Sequence, residues 1–153
     1  MFVPNNVNSA SFGSRAMALT IDFVLLEAIY FFLFILLTAK FIQVAHFEPL
    51  TLAALFVLYL LVFFISFLFL HMIYFTLFHA WSGQTIGKMI MGIRVATDDN
   101  KLISPSAAFL RWSGYILSFL PLGTGFLWAA VDKDQCAWHD RLAQTRVVLA
   151  EMT

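Results

Sequence analysis

Two long apolar runs dominate the chain. The first, Ala16 to Thr38, carries only Asp22 and Glu27 as charged interruptions. As an α-helix it reaches roughly 34 Å, enough to cross a hydrocarbon core of about 30 Å. The second, Leu50 to Phe78, has His71 as its one residue that ionises near neutral pH. It would reach roughly 43 Å, so it is expected to tilt or to project beyond the lipid. Between them, Ala39 to Pro49 holds Lys40, Gln43, His46 and Glu48. So short a polar connection predicts that the second helix returns antiparallel to the first. Tyr59 and Tyr74 lie within the second run, and Trp81 stands just past its end at a depth that suits an aromatic belt.

From Trp81 the pattern changes. Gly83 to Val95 (GQTIGKMIMGIRV) mixes basic and apolar residues and ends β-branched, while Asp98-Asp99-Asn100 signals a turn before Lys101 and Pro105. A short interfacial helix and a small hairpin-like turn at the membrane surface are expected here. Helix resumes near Ser106, a residue able to cap it, and runs through Arg111 and Trp112 to Leu120. Pro121, Gly123 and Gly125 break it, and a second apolar piece runs from Phe126 to Val131. The remainder from Asp132 is charged, with an apolar stretch at Val147 to Ala150. At the other end, Met1 to Ser14 is polar, turn-rich and free of Lys and Arg. The apolar run behind it is too long for a signal-peptide core, so a short tail and a retained helix are expected. The predicted fold is therefore an all-α integral membrane protein. It has two long antiparallel transmembrane helices (about 16–38 and 50–78), an interfacial segment, and a Pro/Gly-broken region (106–131) forming a re-entrant hairpin or a kinked span.

Composition agrees with this pattern. Of 153 residues, 61% are hydrophobic and 12% charged, where soluble domains carry about a quarter charged. Nine Lys or Arg balance nine Asp or Glu, so no bulk basic field points to nucleic acid as a partner. The single Cys136 can form no intrachain disulfide and no thiolate metal site, and reads as an apolar filler.

The position of charge decides topology. Arg15 precedes the first span, only Lys40 lies between the spans, and Lys88, Arg94, Lys101 and Arg111 follow the second. Positive residues favour the cytoplasmic side, which places the amino terminus inside. A single third crossing would put Lys133, Arg141 and Arg146 outside, against that rule. A broken pair returning to the same side keeps eight of the nine basic residues inside.

Ionisable groups inside lipid cost several kcal/mol unless paired, hydrated or protonated, which makes Asp22 and Glu27 candidate functional sites. The competing reading is a structural ion pair or neutral carboxyl that locks a helix bundle. Arg15 and Asp22 face nearly the same way on one helix but stand roughly 10 Å apart along it, so each needs a partner from elsewhere. Asp22 and His71 lie at similar depth on antiparallel helices, where carboxylate and imidazole could relay a proton; a histidine simply hydrogen-bonded in the bundle is the alternative. GQTIGK is not a phosphate loop, because three residues rather than four separate Gly83 from Gly87 and Met89 stands where Ser or Thr is required. Lys88, Arg94 and Arg111 suit either pairing within the bundle or an interface with anionic lipid headgroups. His139 beside Asp140 lacks the further ligands of a metal site. No catalytic triad or dyad, metal or cofactor is expected.

The order Arg15-x6-Asp22, GQTIGKMIMGIRV, FLRW around Arg111 and WHDRLAQTRVV resembles the RDD membrane proteins over nearly the whole chain. The resemblance implies that Arg15 and Asp22 are the first two signature residues and Asp140 the third, with Asp132 as the alternative. Glu27 lies outside that signature, and Arg146 stands where many members carry valine. It implies a membrane domain over residues 15–150, between a polar 1–14 tail and the 151–153 end, and an inner (plasma) membrane location. Members are described as of unknown molecular function, with transport and cation/proton exchange suggested for some.

Within the fold, Asp22 is expected to pair with Arg111, and Arg15 to meet Asp140 at the cytoplasmic boundary. Two functions are weighed, the first as the leading expectation and the second as its alternative. One is a transport-related component using Asp22, Glu27 and His71 as proton or ion sites; two spans are too few to enclose a pathway, so it requires a homo-oligomer or a larger complex. The other is a non-transporting scaffold or accessory subunit that binds lipid or a partner protein.

Overall fold

The computed structural model describes residues 9–44 and 49–150. Residues 1–8 of the polar tail, His46 and Glu48 of the connection, and the 151–153 end lie outside the described residues. In chain order the elements are α1 (Phe12–Val44), α2 (Pro49–Ser82), α3 (Ile86–Ile90), β1 (Ile93–Thr97), α4 (Pro105–Phe119), α5 (Thr124–Val131), α6 (Trp138–Leu142) and β2 (Thr145–Leu149).

Both long helices exceed the apolar runs that announced them. The tail expected to reach Ser14 stops earlier, because Ser11 Oγ accepts from the Ser14 N–H at 3.2 Å and α1 already begins at Phe12. Beyond Gly13 no Gly or Pro interrupts α1 up to Val44, so it continues past Thr38 through Lys40 and Gln43. α2 opens on Pro49, whose fixed φ suits a first turn, and ends just before Gly83, where φ is +71°. Phe12–Gln43 and Thr51–Ser82 are each long and apolar enough to cross a membrane.

The contacts divide the chain into two units. The segment Phe23–His71 forms one of them. Here the two helices run antiparallel, as expected: Tyr30 reaches Ser66 and donates to the Phe63 carbonyl at 2.5 Å, while Thr38 and Tyr59 share a hydroxyl contact at 2.8 Å. Tyr30, Phe34, Tyr59 and Phe63 interleave their rings between these contacts. Phe31, Val57, Phe64 and Phe69 are each more than half exposed, a surface tolerable only in lipid or against another apolar chain.

The other unit joins residues up to Asp22 with Met72 onward. Its centre is a small antiparallel sheet in which Ile93 pairs with Leu149 and Thr97 with Thr145, and Ser9 bridges to Val148. This corrects the expected local hairpin: the turn at Asp98–Asn100 exists, but the partner of β1 is the late apolar stretch. Val95 and Val147 face each other in that register and pack with Ala10, Ala18, Ile93, Ile103 and Ala108 in the core. The turn residue Asp98 instead pairs with Arg146 at 2.6 Å. The broken helical region is present, with two adjustments. Ser104, not Ser106, caps α4 by accepting from the Ala107 N–H at 3.2 Å, with Pro105 at the first helical position. The axes of α4 and α5 then bend by 99°. Gly125 permits the close return, since a Cβ there would sit 2.6 Å from Ser118 Cα.

Candidate functional site

Asp22 sits on α1 with no exposed surface. Its Oδ1 accepts from the Tyr74 hydroxyl at 2.7 Å and from the Gly87 N–H at 2.8 Å, and its Oδ2 from the Thr85 hydroxyl at 2.5 Å. The expected Asp22–Arg111 pair is therefore replaced by neutral donors. Three charge-assisted hydrogen bonds satisfy a carboxylate without the cost of burying a second ion beside it. The same geometry explains GQTIGK. Thr85 precedes the single turn of α3, and the Gly87 N–H in that turn points at the protein's own Asp22. Gly87 is obligatory at this contact, because a Cβ would lie 2.0 Å from the Ala18 carbonyl oxygen. Tyr74 is buried and also accepts from the Ile86 N–H at 3.2 Å. Trp81 is 86% exposed.

Asp140, also with no exposed surface, holds the second cluster. Arg15 meets its Oδ2 at 2.8 Å and also donates to the Gln135 carbonyl. Arg111 meets Oδ1 at 2.5 Å and donates to Thr145 Oγ1 at 2.6 Å. The Ala137 N–H adds a bond to Oδ2 at 2.8 Å. Burial alone would raise the Asp140 pKa, but Arg111, then His139 and Arg15, and the Ala137 N–H together hold it well below the usual carboxylate range. One carboxylate thus ties together α1, α4, α6 and, through Thr145, β2. Asp132, the alternative signature aspartate, pairs instead with Arg141 and accepts from the Cys136 N–H at 3.0 Å.

His139 stands edge-on to Tyr115, ring centres 4.6 Å apart, with Phe126 at 5.1 Å. Burial lowers its pKa to about 3; Asp140 opposes this, while Arg111 adds to it. It is a neutral packing residue at physiological pH. Among the described residues no group of three His, Cys, Asp or Glu side chains is placed to hold a metal ion.

Lys88 departs most from expectation. An interfacial or paired side chain was predicted, yet it is only 4% exposed. Among the described residues no carboxylate oxygen lies within ion-pair distance of its ammonium. Burial, then Arg111, lowers its pKa to about 7 against the opposing pull of Asp22 and Asp140. Lys88, Arg15, Arg111 and Tyr115 line a cavity of about 270 Å³. Arg94 is half-buried and donates to Asn100 Oδ1 at 2.9 Å, bracing the turn.

Among the three residues proposed as proton or ion sites, His71 and Glu27 come together in the Phe23–His71 unit. His71 Nε2 lies 3.9 Å from Glu27 Oε1, and Nδ1 lies 3.0 Å from the Phe67 carbonyl. Glu27 is about half exposed. Within this unit, the carboxylate facing His71 is Glu27.

Sequence reasoning missed Tyr74, Thr85, Gly87 and Thr145 as partners of the signature residues. The spacing of GQTIGK, too short for a phosphate, was the available sign that its amide groups serve an internal anion. An RDD family model matches residues 9–144, which takes in Arg15, Asp22, Asp140 and every donor to the two aspartates. The chain belongs to the RDD family. No curated protein and no solved structure matches it. With its two span-length apolar helices and bent third pair, it is an RDD-family membrane protein. Arg15, Asp22 and Asp140, the residues expected as the signature, thus form two separate locks: Asp22 on hydroxyl and amide donors, and Arg15 with Asp140 and Arg111.

Proposed function

We propose that this RDD protein is a non-catalytic, non-transporting membrane module, a scaffold or accessory subunit of the plasma membrane that works as a homo-oligomer or within a larger complex. One observation carries the reading. The oxygens of Asp22 and Asp140 are already taken by donors from the same fold. A transported cation needs carboxylate oxygens it can coordinate, whereas these hold the helices together. The amino terminus faces the cytoplasm in this reading. The unit containing residues up to Asp22 and from Met72 onward carries eight of the nine basic residues, Lys40 being the exception, which favours that side. The bent α4–α5 pair supports a shallow return over a crossing: legs of roughly 22 and 12 Å at about a right angle reach roughly 25 Å, short of a full core.

The test is flux. Wild-type protein and Asp22→Asn are reconstituted in vesicles under a proton gradient, with Na+ or K+ opposite. The expected result is no Asp22-dependent cation-coupled proton flux from folded protein; flux that disappears with Asp22→Asn overturns the reading. A transport function has one specific observation in its favour, the half-exposed Glu27 beside buried His71. Flux retained in Asp22→Asn but lost in Glu27→Gln is its expected signature.

A further inference from the structure

We infer that the cavity lined by Arg15, Lys88 and Arg111 is an anion site that takes a phosphate group, either the phosphodiester of an anionic phospholipid or a free phosphate ester. The inference rests on the accessory-module reading and names the ligand such a module would hold. Three cationic side chains reach the cavity wall, and no Asp or Glu lines it. Arg15 and Arg111 share the single carboxylate of Asp140, leaving net positive charge in that cluster. Lys88 contributes a third cation without an ion-pair partner among the described residues, at 4% exposure. A buried ammonium in this state is stabilised when an anion arrives, and guanidinium and ammonium groups together are the usual recognition set for phosphate. Besides Thr20, Tyr115 and His139, the rest of the wall, including Phe12, Leu19 and Leu127, is apolar, which suits the glycerol and first methylenes of a lipid better than a hydrated ion.

The chemistry also gives the site a pH dependence. The charged and titratable groups coupled to Lys88 are Arg15 and Asp22 from α1, His79 from α2, Arg111 from α4, and His139 and Asp140 from α6. Because burial and Arg111 bring Lys88 to about 7, a bound anion draws a proton onto it, and affinity falls as pH rises above neutrality.

The experiment uses the full chain in a neutral detergent without phosphate buffer. Thermal unfolding is followed as phosphatidylglycerol, phosphatidylcholine or inorganic phosphate is added, and native mass spectrometry counts retained lipid. Phosphatidylglycerol is expected to raise the midpoint where phosphatidylcholine does not. Lys88→Met should weaken this response about tenfold, and Arg94→Gln, which alters a cation outside the cavity, should leave it intact. A Lys88-dependent response to inorganic phosphate as well assigns the site to phosphate esters in general; its absence assigns it to lipid. Equal responses to both lipids with none to phosphate, or an undiminished response in Lys88→Met, overturn the inference. Should Lys88→Met fail to fold, Lys88→Gln and the mass-spectrometric count of bound phosphatidylglycerol make the same comparison. Asp22-dependent flux would defeat the accessory-module reading yet leave the Lys88 comparison unchanged, so the two failures are distinguishable.

Discussion

Replacing Lys88 with methionine keeps an unbranched side chain of similar volume and removes the ammonium. In the folded protein burial and Arg111 bring Lys88 to about 7, whereas a lysine in an unfolded chain titrates near 10.4. Between those values the unfolded state binds the extra proton and the folded state does not. Stability contributed at this position therefore rises with pH from about 7 to about 10, and the lysine is most costly at and below neutrality. A difference of roughly three units corresponds to about 4 kcal/mol at pH 7, falling below about 1 kcal/mol at pH 10. Lys88→Met should then be more stable than the wild type at pH 7, by up to about that amount, with the advantage shrinking as pH rises. Thermal unfolding in neutral detergent, followed by circular dichroism at several pH values between 6 and 10, measures the gap. A gap that does not change with pH, or a methionine variant less stable throughout, refutes the reasoning.

Three further outcomes follow from the two aspartate locks. Asp140→Asn leaves Arg15 and Arg111 without their shared carboxylate and should cost about 3–5 kcal/mol in the same unfolding assay, with Asp132→Asn, which touches neither, costing less. Gly87→Ala drives a methyl into the Ala18 carbonyl, and should lower stability by about 1–3 kcal/mol or prevent folding; recovery of wild-type yield and midpoint would contradict the close approach of α3 to α1. Because the Asp140 pKa is depressed in the fold, its contribution is complete above the unfolded value of about 3.9 and is lost as pH falls below it. An acid titration should show destabilisation beginning near pH 4, and Asp140→Asn should flatten that limb.

Much of the architecture was legible because the bilayer imposes a length and a composition on any helix that crosses it. Ala16–Thr38 and Leu50–Phe78 satisfy both, and Pro121 with Gly123 marks the break between α4 and α5. That Asp22 needs a partner was legible as well, since an aspartate in an apolar helix demands one. The identity of the partner was not. Sequence favoured the cation Arg111 for Asp22, but Tyr74, Thr85 and the Gly87 N–H fill that carboxylate, and neutral donors carry no charge pattern to read. The β1–β2 pairing was hidden for another reason: Ile93–Thr97 and Thr145–Leu149 are five-residue strands in which neighbouring residues are both buried, Val95 with Ala96 and Val147 with Val148. Neither shows the strict alternation that betrays a half-buried strand. Lys88 was misjudged because lysine is among the residues least often buried, and only the fold reveals the cavity it serves.

The lock between Arg15 and Asp140 joins residues 125 positions apart. During synthesis Arg15 therefore stays unmatched until the segment that holds Asp140 has been made. The strand that receives Ser9, and the threonine that braces Arg111, emerge later still. Early release, or a deletion reaching back past Asp140, would strand a half-assembled intermediate whose buried arginines have no counterpart. Cellular quality control would meet that species as a membrane degradation substrate.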